Sequence, residues 1–195
     1  MLLAIVVLLA LFIPIGPLAL DRHWSELMQD IQTPILKHLA LVFNALGKGF
    51  WRGLTLTAVG LFLLVARRWA ALISFAVAES LTPLLGNVIK TLVTRPRPPG
   101  AMLNPHGSSF PSGHAAYAGA TAVALVLLFS RPDRKRPLWW ALAAVITAGM
   151  AWSRTYLQVH WLTDVFAGSL LGIAVTLGSF AAAQILLERR REEAP

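Results

Sequence analysis

The chain contains no cysteine. That excludes disulfides and thiolate metal sites. Charge is also scarce. Asp, Glu, Lys and Arg make up 13% of the residues, about half the usual share. Hydrophobic residues make up 56%, and the mean hydropathy is +0.65. This balance points to a membrane protein and away from a soluble globule. Negative charge is the scarcer sign, with nine Asp and Glu against seventeen Lys and Arg and a net charge of +8. So basic a chain raises nucleic-acid binding, but the bases do not lie along one soluble face. They cluster as Arg67–Arg68, Arg131 with Arg134–Arg136, and Arg189–Arg191, each at the end of an apolar run. Such placement reads as the positive-inside signal. There is no internal repeat, linker or low-complexity segment, and 195 residues imply one domain, 1–195.

Long apolar runs fill the space that charge leaves. A spanning helix needs about 20 apolar residues, fewer where the end residues snorkel. Six candidates meet this: 2–20, 53–66, 69–89, 113–130, 138–152 and 161–187. The second is short, and its start lies nearer Phe50. The first lacks a positively charged n-region and a small-x-small cleavage site, so it reads as a retained helix, loosened near Pro14 and Pro17, and not as a signal peptide. Residues 21–52 differ from the rest. Trp24, Leu27, Met28, Ile31, Ile35, Leu39, Val42, Phe43 and Leu46 recur at helical spacing among Asp21, Glu26, Gln29, Asp30 and Lys37. This pattern predicts an amphipathic segment, interfacial or packed on the bundle, broken or kinked at Pro34. The expected fold is therefore all-α: a six-transmembrane-helix bundle with an additional interfacial amphipathic helical segment. Tryptophans 51, 69, 139, 140, 152 and 161 fall near expected boundaries, as an aromatic belt requires. Gly168 and Gly172, four apart in the last span, predict close helix packing.

Three polar stretches interrupt the apolar chain. The first is KTLVTRPRPPG, where Lys90 closes the third span and Arg97 follows. Pro96, Pro98 and Pro99 forbid a continuing helix there. The second is FPSGH, where Gly113 allows a tight turn into the fourth span. The free N–H groups of Ser112, Gly113 and His114 would then lie at a helix N-terminus and attract an anion. The third is SRTYLQVHWLTD. On a helix, His160 and Asp164 would share one face, and the carboxylate would hold one imidazole N–H while the other nitrogen's lone pair stays free. The third span ends at Lys90 and the fourth begins at Gly113, the fifth ends near Trp152 and the sixth begins near Trp161, so all three stretches fall on one membrane face, opposite the arginine-rich loops. Those loops and the tail hold nine of the seventeen Lys and Arg, so the bare count decides little. Lys90, Arg97 and Arg154 supply fixed positive charge, Ser112 and its backbone supply donors, and His114 and His160 supply proton transfer and nucleophilicity. The natural occupant is a phosphoryl group. Arg95 reads as an exposed charge, and His23, His38 and His106 belong to no pattern.

At these residues the chain resembles the type 2 phosphatidic acid phosphatase superfamily. Lys90-x6-Arg97-Pro98, Pro111-Ser112-Gly113-His114 and Ser153-Arg154-x5-His160-x3-Asp164 match its three-part signature over residues 90–164. The likeness is nearest to small bacterial membrane lipid phosphatases, including those acting on phosphatidylglycerophosphate and undecaprenyl diphosphate. The resemblance implies a catalytic set of His160 as nucleophile, forming a phosphohistidine, Asp164 as its orienting carboxylate, and His114 as acid on the leaving oxygen and then base on water. It implies that Lys90, Arg97, Ser112, Gly113 and Arg154 bind the phosphoryl oxygens, with no metal or other cofactor. The expected partners are a lipid phosphate substrate and membrane lipids, not nucleic acid. The expected location is the inner membrane, with the site facing the periplasm or exterior. A lipid phosphotransferase would carry the same signature. A vanadate-dependent haloperoxidase shares the site but not six spans, and a transporter or lipid-binding protein needs no nucleophile.

Overall fold

The computed structural model describes residue 13 and residues 15–192, which form seven helices and no strand. They are α1 (Ala19–Asp30), α2 (Pro34–Leu46), α3 (Gly49–Val65), α4 (Trp69–Leu92), α5 (Gly113–Phe129), α6 (Arg136–Tyr156) and α7 (Leu162–Glu192). The all-α expectation holds. Most of the expected span at 2–20 lies outside the described residues. Helices α4 and α7 are each long and apolar enough to cross a bilayer, and α2 with α3, bent by 50° at their junction, qualify together as a third. Helix α5 is apolar but has only 17 residues.

That short helix is the centre of the molecule. Ala115 to Ala124, Val126 and Leu128 are all buried, as expected of a helix that is apolar on every side. Ser112 caps it, its hydroxyl accepting from the Ala115 N–H. Helix α7 packs against it through the expected small residues. A side chain on Gly168 would overlap the Ser112 carbonyl, and one on Gly172 would overlap the Ala116 carbonyl. Gly119 on α5 faces the Ser169 carbonyl in the same way. These glycines bring the two backbones together, and so the start of α7 lies against the turn that opens α5.

The segment 21–52 is helical and broken at Pro34, as expected. Thr33 caps α2, accepting from the Leu36 N–H at 3.3 Å, and Pro34 takes the first turn, where its missing N–H costs nothing. The segment's exposed surface mixes charged and large apolar side chains. Asp21, Ser25 and Met28 of α1 and Ala40 and Asn44 of α2 are buried. Leu27, Ile31, Leu39, Val42 and Leu46 are exposed, and Ile35 is 80% exposed. Asp21 and Ser25 turn inward toward the loops that follow α4 and α6, while Glu26, Gln29, Asp30 and Lys37 stay exposed.

Candidate active site

Three backbone bonds and two side-chain bonds gather the polar stretches. The Ser112 N–H donates to the Asp164 carbonyl at 3.0 Å, the Ser109 N–H to the Arg95 carbonyl at 2.9 Å, and the Met102 N–H to the Leu157 carbonyl at 3.0 Å. The Pro96 carbonyl accepts from both Ser109 Oγ, at 3.1 Å, and Trp161 Nε1, at 2.8 Å. Prolines in the 93–112 loop hold it open, and these bonds then pin it over the α6–α7 turn.

The result is a cavity of about 480 Å3 bordered by Lys48, Lys90, Arg97, Arg154, His114 and His160, with Asn44 and Gly113 also on its wall. Among the described residues, four cations line it and no carboxylate does. Lys90 Nζ donates to the Ser108 carbonyl at 2.9 Å. Arg97 is held at several points, donating to the carbonyls of Val159 at 2.6 Å, His106 at 3.1 Å and Ser108 at 3.2 Å. Burial lowers its pKa, and the Asp164 carboxylate opposes that shift. Arg154 donates to Asn44 Oδ1 at 2.6 Å, while its Nε has no partner among the described residues. His114 Nε2 is likewise buried without a partner. Its ring packs on Gly47, where any side chain would collide with it.

His160 departs from expectation. It lies in the turn before α7, not on a helix with Asp164. Its Nδ1 sits 2.7 Å from the Ser109 carbonyl and 3.6 Å from Asp164 Oδ2. A carbonyl can only accept, so Nδ1 carries the proton and Nε2 keeps a lone pair. Nε2 points to Arg97, 3.3 Å from its NH1. Burial, together with Arg97 and Lys90, lowers the His160 pKa to about 4, against the opposing pull of Asp164. The imidazole is therefore neutral at physiological pH.

Asp164 is engaged elsewhere. Oδ2 accepts the Trp161 N–H at 2.8 Å, capping α7, and Oδ1 accepts from Arg95 at 2.6 Å. Arg95 is the second correction, being 1% exposed and not a surface charge. Its guanidinium bridges Asp164 and Asp21, the second pair also at 2.6 Å. Asp21 in turn accepts from the Thr163 N–H and hydroxyl, each at 2.9 Å. The planar fork of arginine suits two carboxylates at once, and a charge this deep needs such partners.

The structure thus brings Lys90, Arg97, Gly113, His114, Arg154 and His160 to one cavity. Asp164 lies behind His160. Ser112 is fully buried, with its N–H bound to Asp164 and its hydroxyl at the α5 cap, and so it does not border that cavity. Ser109, Asn44, Lys48, Arg95 and Asp21 are additions that the motif spacing does not reveal.

The sequence pattern of the PAP2 superfamily matches residues 69–187. The chain belongs to the PAP2 superfamily. It is 36% identical over 121 residues to an undecaprenyl-diphosphatase of Sulfolobus acidocaldarius, covering 58% of this chain and 52% of that protein. It is 37% identical over 95 residues to phosphatidylglycerophosphatase B of Bacillus subtilis, covering 46% and 47%. The chain spans about half the length of these curated relatives. Its fold is similar to the crystal structure of a transmembrane PAP2-type phosphatidylglycerolphosphate phosphatase from Bacillus subtilis. That match has a TM-score of 0.79 at 25% identity and covers 96% of this chain and 94% of the other. This is accordingly a membrane protein of a phosphatase superfamily.

Proposed function

We propose that the protein is an integral membrane lipid phosphatase that works through a phosphohistidine without a metal. One observation carries the reading: the Ser109 carbonyl accepts a hydrogen bond from His160 Nδ1–H, so an unprotonated Nε2 faces a pocket of four cations. Nε2 attacks phosphorus, forming the N–P bond as the P–O bond to the lipid breaks. His114, on the same wall, protonates the leaving oxygen. Water then attacks the phosphohistidine. His114 takes a proton from that water, inorganic phosphate leaves, and His160 is regenerated. Lys90, Arg97 and Arg154 hold the equatorial oxygens, with the free backbone donor of Gly113 and the α5 N-terminus. Four side-chain cations supply the charge a divalent ion would otherwise bring. Asp164 favours the developing positive charge on the imidazole from 3.6 Å.

The substrate is a lipid phosphomonoester or diphosphate, and the names of the relatives support phosphatidylglycerophosphate and undecaprenyl diphosphate. We further propose six spans, residues 21–52 at the interface, and a site facing the periplasm or exterior. The basic clusters at Arg67–Arg68 and Arg134–Arg136 would then face the cytoplasm. Cysteine placed at exposed Ala101 should react with an impermeant thiol reagent in intact cells, and cysteine at exposed Asp133 should not. The reverse pattern would invert the topology.

The functional reading is tested by phosphate release from a panel of lipid phosphates in EDTA, with purified protein and its His160→Gln and His160→Ala variants. Release by the wild type, and its loss by orders of magnitude in both folded variants, is the expected result. Activity that disappears in EDTA and returns with a divalent ion would overturn the metal-free mechanism. Transfer of the phosphoryl group to a second lipid in place of water would make the protein a phosphotransferase.

A further inference from the structure

Three of the four cations around the polar cavity are anchored by hydrogen bonds, and every acceptor is neutral. Lys90 donates to the Ser108 carbonyl. Arg97 donates to the carbonyls of His106, Gly107, Ser108 and Val159. Arg154 donates to the side-chain amide oxygen of Asn44 at 2.6 Å. Among the described residues, no carboxylate pairs with any of the four cations. Arg95, which does not border the cavity, is held in the opposite way, between Asp21 and Asp164 at 2.6 Å each. It thereby also occupies Asp164, the carboxylate whose charge reaches Lys90 and Arg97.

The two kinds of anchor differ in what they leave behind. A neutral oxygen fixes a guanidinium and leaves its net charge standing. A carboxylate fixes it and cancels the field as well. Asn44 is the one side chain among the neutral anchors of the cavity. It lies on the inward face of α2, one turn beyond buried Ala40, and is itself buried. Helix preference does not account for it, because asparagine and aspartate are both weak formers in a helix interior. Arginine only donates, so the atom it meets on Asn44 is the amide oxygen, and a carboxylate would serve equally well as an acceptor. The distinction between the two residue types is therefore one of charge. Asn44 also lies outside residues 69–187, where the family pattern falls.

Resting on the phosphatase reading, we propose that Asn44 is a positioning residue for phosphoryl binding. Its neutral amide oxygen holds the Arg154 guanidinium at the cavity wall and leaves that guanidinium's full charge for the phosphoryl oxygens. The last turn of α2 is thereby part of the active site. A carboxylate of the same size would hold Arg154 as firmly. It would also cancel the charge and border the cavity with a negative group of its own, since Asn44 lies on the cavity wall.

The test compares purified wild type, Asn44→Asp and Asn44→Ala in one detergent. Two quantities are measured: the melting temperature, and the inhibition constant of inorganic phosphate against lipid phosphate hydrolysis. Asn44→Asp keeps the shape of the side chain and turns the hydrogen bond into an ion pair, so it should melt at or above Asn44→Ala. Its inhibition constant should nevertheless rise by about tenfold or more, the scale of one lost charged hydrogen bond. Asn44→Ala removes the anchor and adds no negative charge, so its inhibition constant should rise less, although it is the less stable protein. An anchor that is merely structural predicts the reverse order, with Asn44→Asp the milder change. That reverse order, or an unchanged inhibition constant in Asn44→Asp, would overturn the proposal. So would an Asn44→Asp protein that melts below Asn44→Ala, because its carboxylate would then not be paired with Arg154. All of these outcomes leave the phosphatase reading standing. A wild type that releases phosphate from no lipid phosphate would overturn that reading itself.

Discussion

Arg95 donates to Asp164 at 2.6 Å, with both side chains fully buried. The same guanidinium holds Asp21 of α1 at 2.6 Å. Asp164 in turn caps α7 immediately after His160. The histidine's turn is therefore tied, through two carboxylates and one arginine, to a helix far upstream. Removing one partner of a buried ion pair typically costs about 3–5 kcal/mol. Arg95→Ala should lower the unfolding temperature markedly and reduce phosphate release. Arg95→Lys should recover only part of the loss, because one ammonium cannot span both carboxylates. Thermal unfolding in detergent reads the effect, and an Arg95→Ala protein that melts like the wild type would refute the tie.

Gly168 offers a steric test of how the site is assembled. A methyl group there would meet the Ser112 carbonyl, which is backbone and cannot swing aside. Overpacking of this kind costs about 1–3 kcal/mol. Gly168→Ala should push α7 away from the α5 turn and loosen the Ser112–Asp164 bond, so activity should fall more than stability. Gly178, which has open space around it, serves as the control, and Gly178→Ala should be near neutral.

The titration of His160 follows from its surroundings. Its folded pKa lies near 4, below the ordinary 6.5, because burial and two cations disfavour the imidazolium. The neutral form is favoured in the folded state, so this contribution to stability is fully present above pH 6.5. It declines as pH falls from 6.5 toward 4, where the unfolded chain binds the extra proton. In the nuclear magnetic resonance spectrum of the detergent-solubilised protein, the His160 ring should remain neutral at pH 6. A midpoint near 6.5 would remove the premise that Nε2 is free at neutral pH.

The two histidines should separate by substrate. If His114 protonates the leaving oxygen, its value depends on how poor the leaving group is. A lipid alkoxide needs the proton, and a nitrophenolate scarcely does. General acid assistance is worth about 10²–10⁴-fold, so His114→Ala should damage lipid phosphate cleavage far more than aryl phosphate cleavage. His160→Ala should disable both alike, because attack on phosphorus is common to them. Single-turnover measurement isolates the first step from the water attack that His114 also assists. Equal losses in His114→Ala would reduce His114 to a phosphate ligand.

Vanadate should inhibit by adopting the trigonal-bipyramidal arrangement of the transferring phosphoryl group among Lys90, Arg97 and Arg154. Inhibition should weaken in Arg97→Ala, whose side chain lines the pocket from the loop, and dose–response curves for the two proteins measure the shift. Equal sensitivity would place vanadate elsewhere.

The sequence by itself determined the helical class, the break at Pro34, the close packing at Gly168 and Gly172, and six of the residues around the polar cavity. These are local matters. Apolar runs, proline and small-residue spacing act within one or two turns of chain, and the signature residues stand at short fixed intervals. The tertiary structure decided what lies behind them. Arg95 reads as one more loop cation until Asp21, 74 residues earlier, is folded against it. Nothing in the period of α1 announces that its carboxylate turns inward. The partner that sets the His160 tautomer is the Ser109 carbonyl, 51 residues away. Every residue has a carbonyl, so no side-chain pattern marks this one. Asn44, which accepts from Arg154 across 110 residues, is likewise an ordinary helix residue until α2 packs on α6. The residues that line the cavity declare themselves by type and spacing. Those that hold them in place are defined only by which distant segments touch, and helix packing alone decides that.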